Sequence, residues 1–121
     1  MLESEMLSKG LSFLENNKQY KIVKQEVPFL SRCIDVILIN EYDEIISIEF
    51  KVSKWRHAIE QAKNHKLGAD KAYICLPERN ISEVLKKAVA DAGIGLFLFD
   101  SSKDDVIYEA IPAQSQKENI P

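Results

Sequence analysis

Ile46, Ile48, Phe50 and Val52 fall on one side of an extended chain, and Ser47, Glu49 and Lys51 on the other. Strand side chains alternate faces with period two. Residues 45–52 therefore predict a strand with one apolar face and one face carrying an acid beside a base. Residues 32–40 (RCIDVILIN) are apolar on both faces apart from Asp35, the pattern of a central strand. Residues 20–29 (YKIVKQEVPF) predict an earlier strand, closed off by Pro28. Residues 2–17 show helical spacing instead, with Leu7, Leu11 and Leu14 on one stripe ending near Asn16 and Asn17. Ser53 caps a second predicted helix over 54–67, with Trp55, Ala58, Ile59 and Ala62 inward. A fourth strand at 71–77 follows that helical crossover and so runs parallel to a neighbour. Asn80 and Glu83 have capping-box spacing before a third helix, which carries Ile81, Val84, Leu85, Ala88 and Val89. Gly93 ends it, GLFLF makes a fifth strand, and DVIYEA a short edge strand.

This order predicts an α/β fold in a single domain. A mixed central β-sheet is flanked by helices, an αβββαβ core plus an additional helix and edge strands. The domain occupies residues 1–112, and 113–121 form a polar, flexible tail.

At 121 residues the chain suits one core, and 45% apolar with 29% charged residues is ordinary for a globular protein. No run of about 18 apolar residues suggests a membrane span, and the N-terminus lacks a signal-peptide pattern. Cys33 and Cys75 sit in apolar runs, which predicts buried, reduced thiols and a cytoplasmic protein. A net charge of −3 excludes a uniformly basic nucleic-acid binder. The charge is uneven, however. Between residues 51 and 66, Lys51, Lys54, Arg56, Lys63 and Lys66 face Glu60 alone, and both histidines, His57 and His65, lie there too. Beside the Glu49/Lys51 strand, such a run suits an anionic ligand.

A turn centred on Tyr42 pairs Asn40 with Glu44 and sets Asp35 directly opposite Glu49. A one-residue slip would turn Ile34, Val36 and Leu38 to the wrong face. Opposed side chains lie about 5 Å apart, where like charges destabilise, and a buried carboxylate is costly. Lys51 supplies one compensating charge, and a divalent metal would supply the rest, because carboxylates are what Mg²⁺ selects. Taken alone, Glu-x-Lys is most often a solvated ion pair. The pairing with Asp35 on an adjacent strand is what departs from that. On the next helix, Lys54, Gln61 and His65 project from one flank of the Trp55/Ile59/Ala62 stripe, where they can overhang the polar side of the strand.

The spacing RCID…IEFK…WRHAIEQA…ADKAYICLP resembles the PD-(D/E)XK nuclease superfamily, the restriction-endonuclease-like fold, over roughly residues 3–100. The resemblance implies that Asp35 and Glu49 bind Mg²⁺, with Mn²⁺ as a substitute, and that the backbone carbonyl of Phe50 is a further ligand. It makes Lys51 the residue that orients or activates the attacking water. Gln61 matches a glutamine found on the corresponding helix in several branches. An acid from the first helix often completes such sites. Glu3 is the candidate, since it shares the Leu7/Leu14 stripe. Two positions depart from the pattern: Ile34 precedes Asp35 in place of proline, and His65 stands where some branches have tyrosine.

The function implied is metal-dependent hydrolysis of phosphodiester bonds in DNA, with Lys54, Arg56 and His65 contacting the backbone. So small a chain would act as a homodimer or as one component of a larger system. Two rival classes are a catalytically inactive nucleic-acid-binding or regulatory module of the same fold, and a small α/β protein whose charges form a structural ion network.

Overall fold

The computed structural model describes residues 2–29 and 32–115, with backbone alone for Ile22, Pro28, Phe29, Arg32 and Cys33. The expectations for the Cys33 thiol and for residues 116–121 of the tail lie outside that description. The chain runs α1 (Glu3–Glu15), β1 (Tyr20–Phe29), β2 (Arg32–Asn40), β3 (Ile45–Phe50), α2 (Trp55–His65), β4 (Lys71–Pro77), α3 (Glu83–Ala92), β5 (Gly95–Phe99), β6 (Ile107–Ile111). Its strands form one six-stranded sheet in sequence order. The β3–β4 and β4–β5 pairs are parallel and the other three antiparallel. The parallel pairs are those joined by a helical crossover, as such connections require. The predicted single α/β domain with a mixed sheet is therefore what forms. No described helix is long and apolar enough to cross a membrane.

Period-two alternation divides the core. On one face α1 sets Met6 and Leu14 against Val36, Leu38, Ile48 and Phe50. On the other, α2 and α3 set Ala58, Ala62, Leu85 and Val89 against Ile74, Leu76 and Leu96. Each large aliphatic side chain so buried contributes about 1.5–3 kcal/mol. On β2, Ile34, Val36 and Leu38 are buried but Ile37 and Ile39 only half-buried, because β2 lies one strand from the edge.

Three local expectations are corrected. The third strand stops at Phe50 rather than residue 52. Lys54, not Ser53, is the N-cap of α2, in the left-handed region with φ 54° and no side-chain cap bond. Helix α3 begins at Glu83, where Ser82 Oγ accepts the Leu85 N–H at 3.1 Å, so Asn80 and Ile81 precede it. On that helix Val84, expected on the apolar stripe, is 58% exposed. Within the expected 113–121 tail, Ser115 is buried.

The β1–β2 ribbon runs past its neighbour. Its pairs Val27↔Ile34, Pro28↔Cys33 and Phe29↔Arg32 lie beyond Val36↔Ile48, the last β2–β3 pair at that end.

Gly10 lets α1 approach the sheet closely. A Cβ there would stand 2.6 Å from Ile107 Cδ1 and 3.0 Å from the buried Phe50 ring. Gly10→Ala is expected to lower stability by roughly 1–2 kcal/mol in urea unfolding, since overpacking costs more than the helix propensity gained. A variant as stable as the unaltered chain would show that α1 has slack at this contact.

Candidate active site

The end of β3 gathers the polar residues. Asn40 N–H bonds the Glu44 carbonyl at 3.2 Å, and Leu38↔Ile46 and Val36↔Ile48 continue the same register. This is the parity expected from a turn at Tyr42, and extending it by one residue sets Asp35 opposite Glu49. The ladder gives way there. Phe50 N–H, which faces β2, donates to Asp35 Oδ2 at 2.9 Å instead of to a backbone carbonyl. On the other side Lys51 N–H donates to the Cys75 carbonyl at 3.0 Å, so β3 stays tied to β4 as it parts from β2. Strand β1 also deforms at this level. Glu26, between the paired Gln25 and Val27 and so level with Asp35, has φ 52°, a region that costs a non-glycine residue about 1–2 kcal/mol.

A third acid arrives from far along the chain. Glu3, in the first turn of α1, accepts the Val52 N–H at 3.2 Å through Oε1. Burial raises the Asp35 pKa, against the pull of the Phe50 N–H, the Glu49 side chain and Lys51, and the nearby Glu3 adds to the rise. Glu49 is only 4% exposed. Burial first, and then the Asp35 carboxylate, push its pKa up to about 8, against the opposing effect of Lys51. Each carboxyl feels the other, and both pKa values are raised. Lys51 is half-buried and has no salt bridge within 4.0 Å among the described residues. The solvated Glu49–Lys51 pair is thus not what forms. The ammonium acts on both acids across a short gap.

Helix α2 closes the site from above. Gln61 Oε1, His65 Nδ1 and Glu49 Oε2 are all buried without a hydrogen-bond partner among the described residues. His65 Nδ1 stands 4.0 Å from Glu49 Oε2, and burial holds the imidazole below the usual histidine range, so the contact is not an ion pair at neutral pH. This corrects the expectation that His65 touches a DNA backbone, for a side chain 4% exposed sits beneath the surface. The i, i+4 spacing of Gln61 and His65 beside Ala58 and Ala62 signalled a shared flank, but not that Glu49 would be its neighbour. Lys54 and Arg56 remain exposed, Arg56 lying 4.3 Å over the Trp55 ring. Glu3, Asp35, Glu49, Lys51 and His65 thus lie near one another at one end of β3, with Gln61 one helical turn from His65 and Lys54 and Arg56 exposed.

No protein-family model and no curated protein sequence matches the chain. Solved structures do. The SPO1766 protein of unknown function from Silicibacter pomeroyi superposes with a TM-score of 0.67 at 18% identity, over 96% of this chain and 75% of that one. A repair endonuclease from Pyrococcus abyssi gives 0.58 at 18% identity, over 79% of this chain and 46% of its own. EndoMS, in a complex with double-stranded DNA, gives 0.57 at 16% identity, over 84% and 46%. The chain has the fold of these endonucleases. It spans less than half the length of either, and at such identities the likeness concerns the fold.

Proposed function

We propose that the chain is a metal-dependent nuclease of the PD-(D/E)XK type that hydrolyses phosphodiester bonds in DNA. The observation that carries this is geometric: the half-buried Asp35, held by the Phe50 N–H at 2.9 Å, stands opposite the buried Glu49, beside a Lys51 with no salt bridge among the described residues. A structural ion network would pair its charges, and here two acids are held together with their lysine uncommitted.

Among the described residues no three His, Cys, Asp or Glu side chains converge to hold an ion by themselves. Two carboxylates and a backbone oxygen still suit Mg²⁺, which binds through few carboxylates and keeps several waters. The buried, unpartnered Glu49 Oε2 fits that role. So does the Phe50 carbonyl, because the Phe50 backbone faces β2 and Asp35. Asp35, Glu49 and the Phe50 carbonyl would hold Mg²⁺ or Mn²⁺, whose charge would offset that of the two acids. When bound, it supplies positive charge for the phosphate oxygens.

The chain's own groups do the rest. Lys51 orients the attacking water and offsets charge building on the phosphate. Asp35 is fixed by the Phe50 N–H, Glu3 holds the turn after β3 through Val52, and Gln61 presents its amide to the same space. Lys54 and Arg56 grip phosphates without reading sequence. The DNA-bound EndoMS supports DNA as the substrate, with a homodimer or a second component extending the grasping surface.

The test is a Mn²⁺ and Mg²⁺ titration followed by thermal melting, alongside cleavage of linear, nicked, flapped and four-way DNA. A ligand at ten times its Kd stabilises the folded state by about 1.4 kcal/mol, a shift of several degrees that Asp35→Ala should abolish. Stabilisation and DNA binding without cleavage would favour the inactive binding module. No stabilisation at any metal concentration would remove the metal from the proposal.

A further inference from the structure

At the other end of the sheet, on the α1 face, lies a cavity of about 430 Å³. Its place follows from the fold. Helix α1 ends at Glu15 and the chain turns into β1, leaving the starts of β3 and β4 uncovered. Ile46 in its wall is four residues from Phe50, about 13 Å along β3, so the cavity is separate from the acid pair.

The chain has four tyrosines. Three of them, Tyr20, Tyr42 and Tyr73, line this one cavity with their side chains, together with Phe13 and Phe97, whereas the Tyr108 ring packs on the other face of the sheet. The three come from two strands and the β2–β3 turn, so sequence proximity does not explain the gathering. Tyr73 and Phe97 pack with ring centroids 4.3 Å apart, and Tyr73 Oη donates to Glu109. Burial holds the Tyr20 and Tyr73 phenols above the usual tyrosine range, so they stay neutral.

The charged groups have one sign to offer. Glu41, Asp105 and Glu109 line the cavity with Lys71 as its cation, and Lys71 Nζ is already 3.3 Å from Glu44. Of the amides in the lining, Asn40 and Asn17 are engaged. Asn40 Oδ1 accepts the Tyr42 and Glu44 N–H groups, Asn40 Nδ2 donates to Glu44, and Asn17 Oδ1 accepts the Gln19 N–H. Beside the Gln19 side chain, what remains for a ligand is aromatic surface and carboxylate charge, and both attract cations.

We infer that this cavity binds a small organic cation, a primary ammonium or guanidinium group on an aliphatic stem. The stem packs on the aromatic rings and the charged head meets Glu109. The inference does not depend on the nuclease reading.

Tyrosine provides the reporter. Three of the four tyrosines line the cavity, whereas the chain's one tryptophan, Trp55, lies on α2. The full chain would be titrated with putrescine, spermidine and agmatine, with 1-butanol as a neutral control and AMP as an anionic one. Calorimetry and the tyrosine near-ultraviolet difference spectrum would be read together. Sub-millimolar binding of an amine or guanidine, with a tyrosine signal, is expected. Glu109→Gln should weaken it at least about ten-fold, and because Glu109 is exposed the variant should fold. Unchanged affinity in both Glu109→Gln and Asp105→Asn would overturn the inference. So would 1-butanol or AMP binding as well as the amines do, or an absence of amine binding.

Discussion

Lys51→Met is expected to cleave DNA roughly 10²-fold more slowly than the unaltered chain in single turnover, or slower still, with its Mn²⁺ and DNA affinities retained. Removing one preorganised electrostatic stabiliser commonly has an effect of that size. The ammonium is half-buried, near two carboxyls, and free of a direct ion pair among the described residues. Its charge is therefore available to a phosphate that gains charge in the transition state, which is when an added interaction accelerates the reaction. Asp35, Glu49 and the exposed Lys54 and Arg56 all remain in the variant, so ground-state binding should be spared. Single-turnover cleavage measured beside DNA affinity separates the two effects. A variant that cuts at the unaltered rate would sink the mechanism. One that loses metal binding in the same measure would make Lys51 a structural partner of the acids.

The second large effect is on stability. Without metal, Glu49 keeps its proton in the folded protein up to about pH 8, against an ordinary value of 4.5. Between those two values the native state binds a proton that the unfolded chain has released, so stability falls as pH rises. It is fully present below 4.5 and lost through about 8, and the raised Asp35 pushes in the same direction. Glu49→Gln removes the slope. Its amide N–H₂ donates to Asp35 as the protonated acid does, but cannot ionise. At pH 8.5 the metal-free Gln variant should exceed the unaltered chain by on the order of 3 kcal/mol, while at pH 5 the two should be nearly equal. Urea unfolding across that range decides it. Parallel pH profiles would mean that Glu49 is solvated and ionised in the native state.

The acid pair was legible in the sequence because it depends on local parity. A short turn at Tyr42 and the alternation of Ile34, Val36 and Leu38 against Ile46 and Ile48 admit one register, and that register places Asp35 against Glu49. The sheet's parallel centre was legible for a similar reason, since each helical crossover constrains the strands it joins. Contacts that span the chain were not. Glu3 meets Val52 across 49 positions, and the helical stripe could say only that Glu3 faces the sheet. The tyrosine-lined cavity requires several elements to converge, which no single window contains. The caps failed for another reason. Ser53 is a better capping residue than Lys54 by propensity, but the chain leaving β3 reaches α2 through a left-handed Lys54, so the path of the backbone overrides the preference. At His65 the periodicity gave the right flank of the helix but the wrong depth.

The β1–β2 ribbon has a mechanical consequence. Its pairs Pro28↔Cys33 and Phe29↔Arg32 lie past the end of β3 at Phe50 and project about 7 Å with no third strand beneath them among the described residues, like a cantilever clamped at one end. A load on a cantilever bends it most at the clamp. The clamp is the level of Asp35, where the ladder to β3 has given way to one side-chain hydrogen bond and Glu26 is already twisted out of the extended region. Force applied to the ribbon is therefore delivered, with leverage, to the spacing between Asp35 and Glu49.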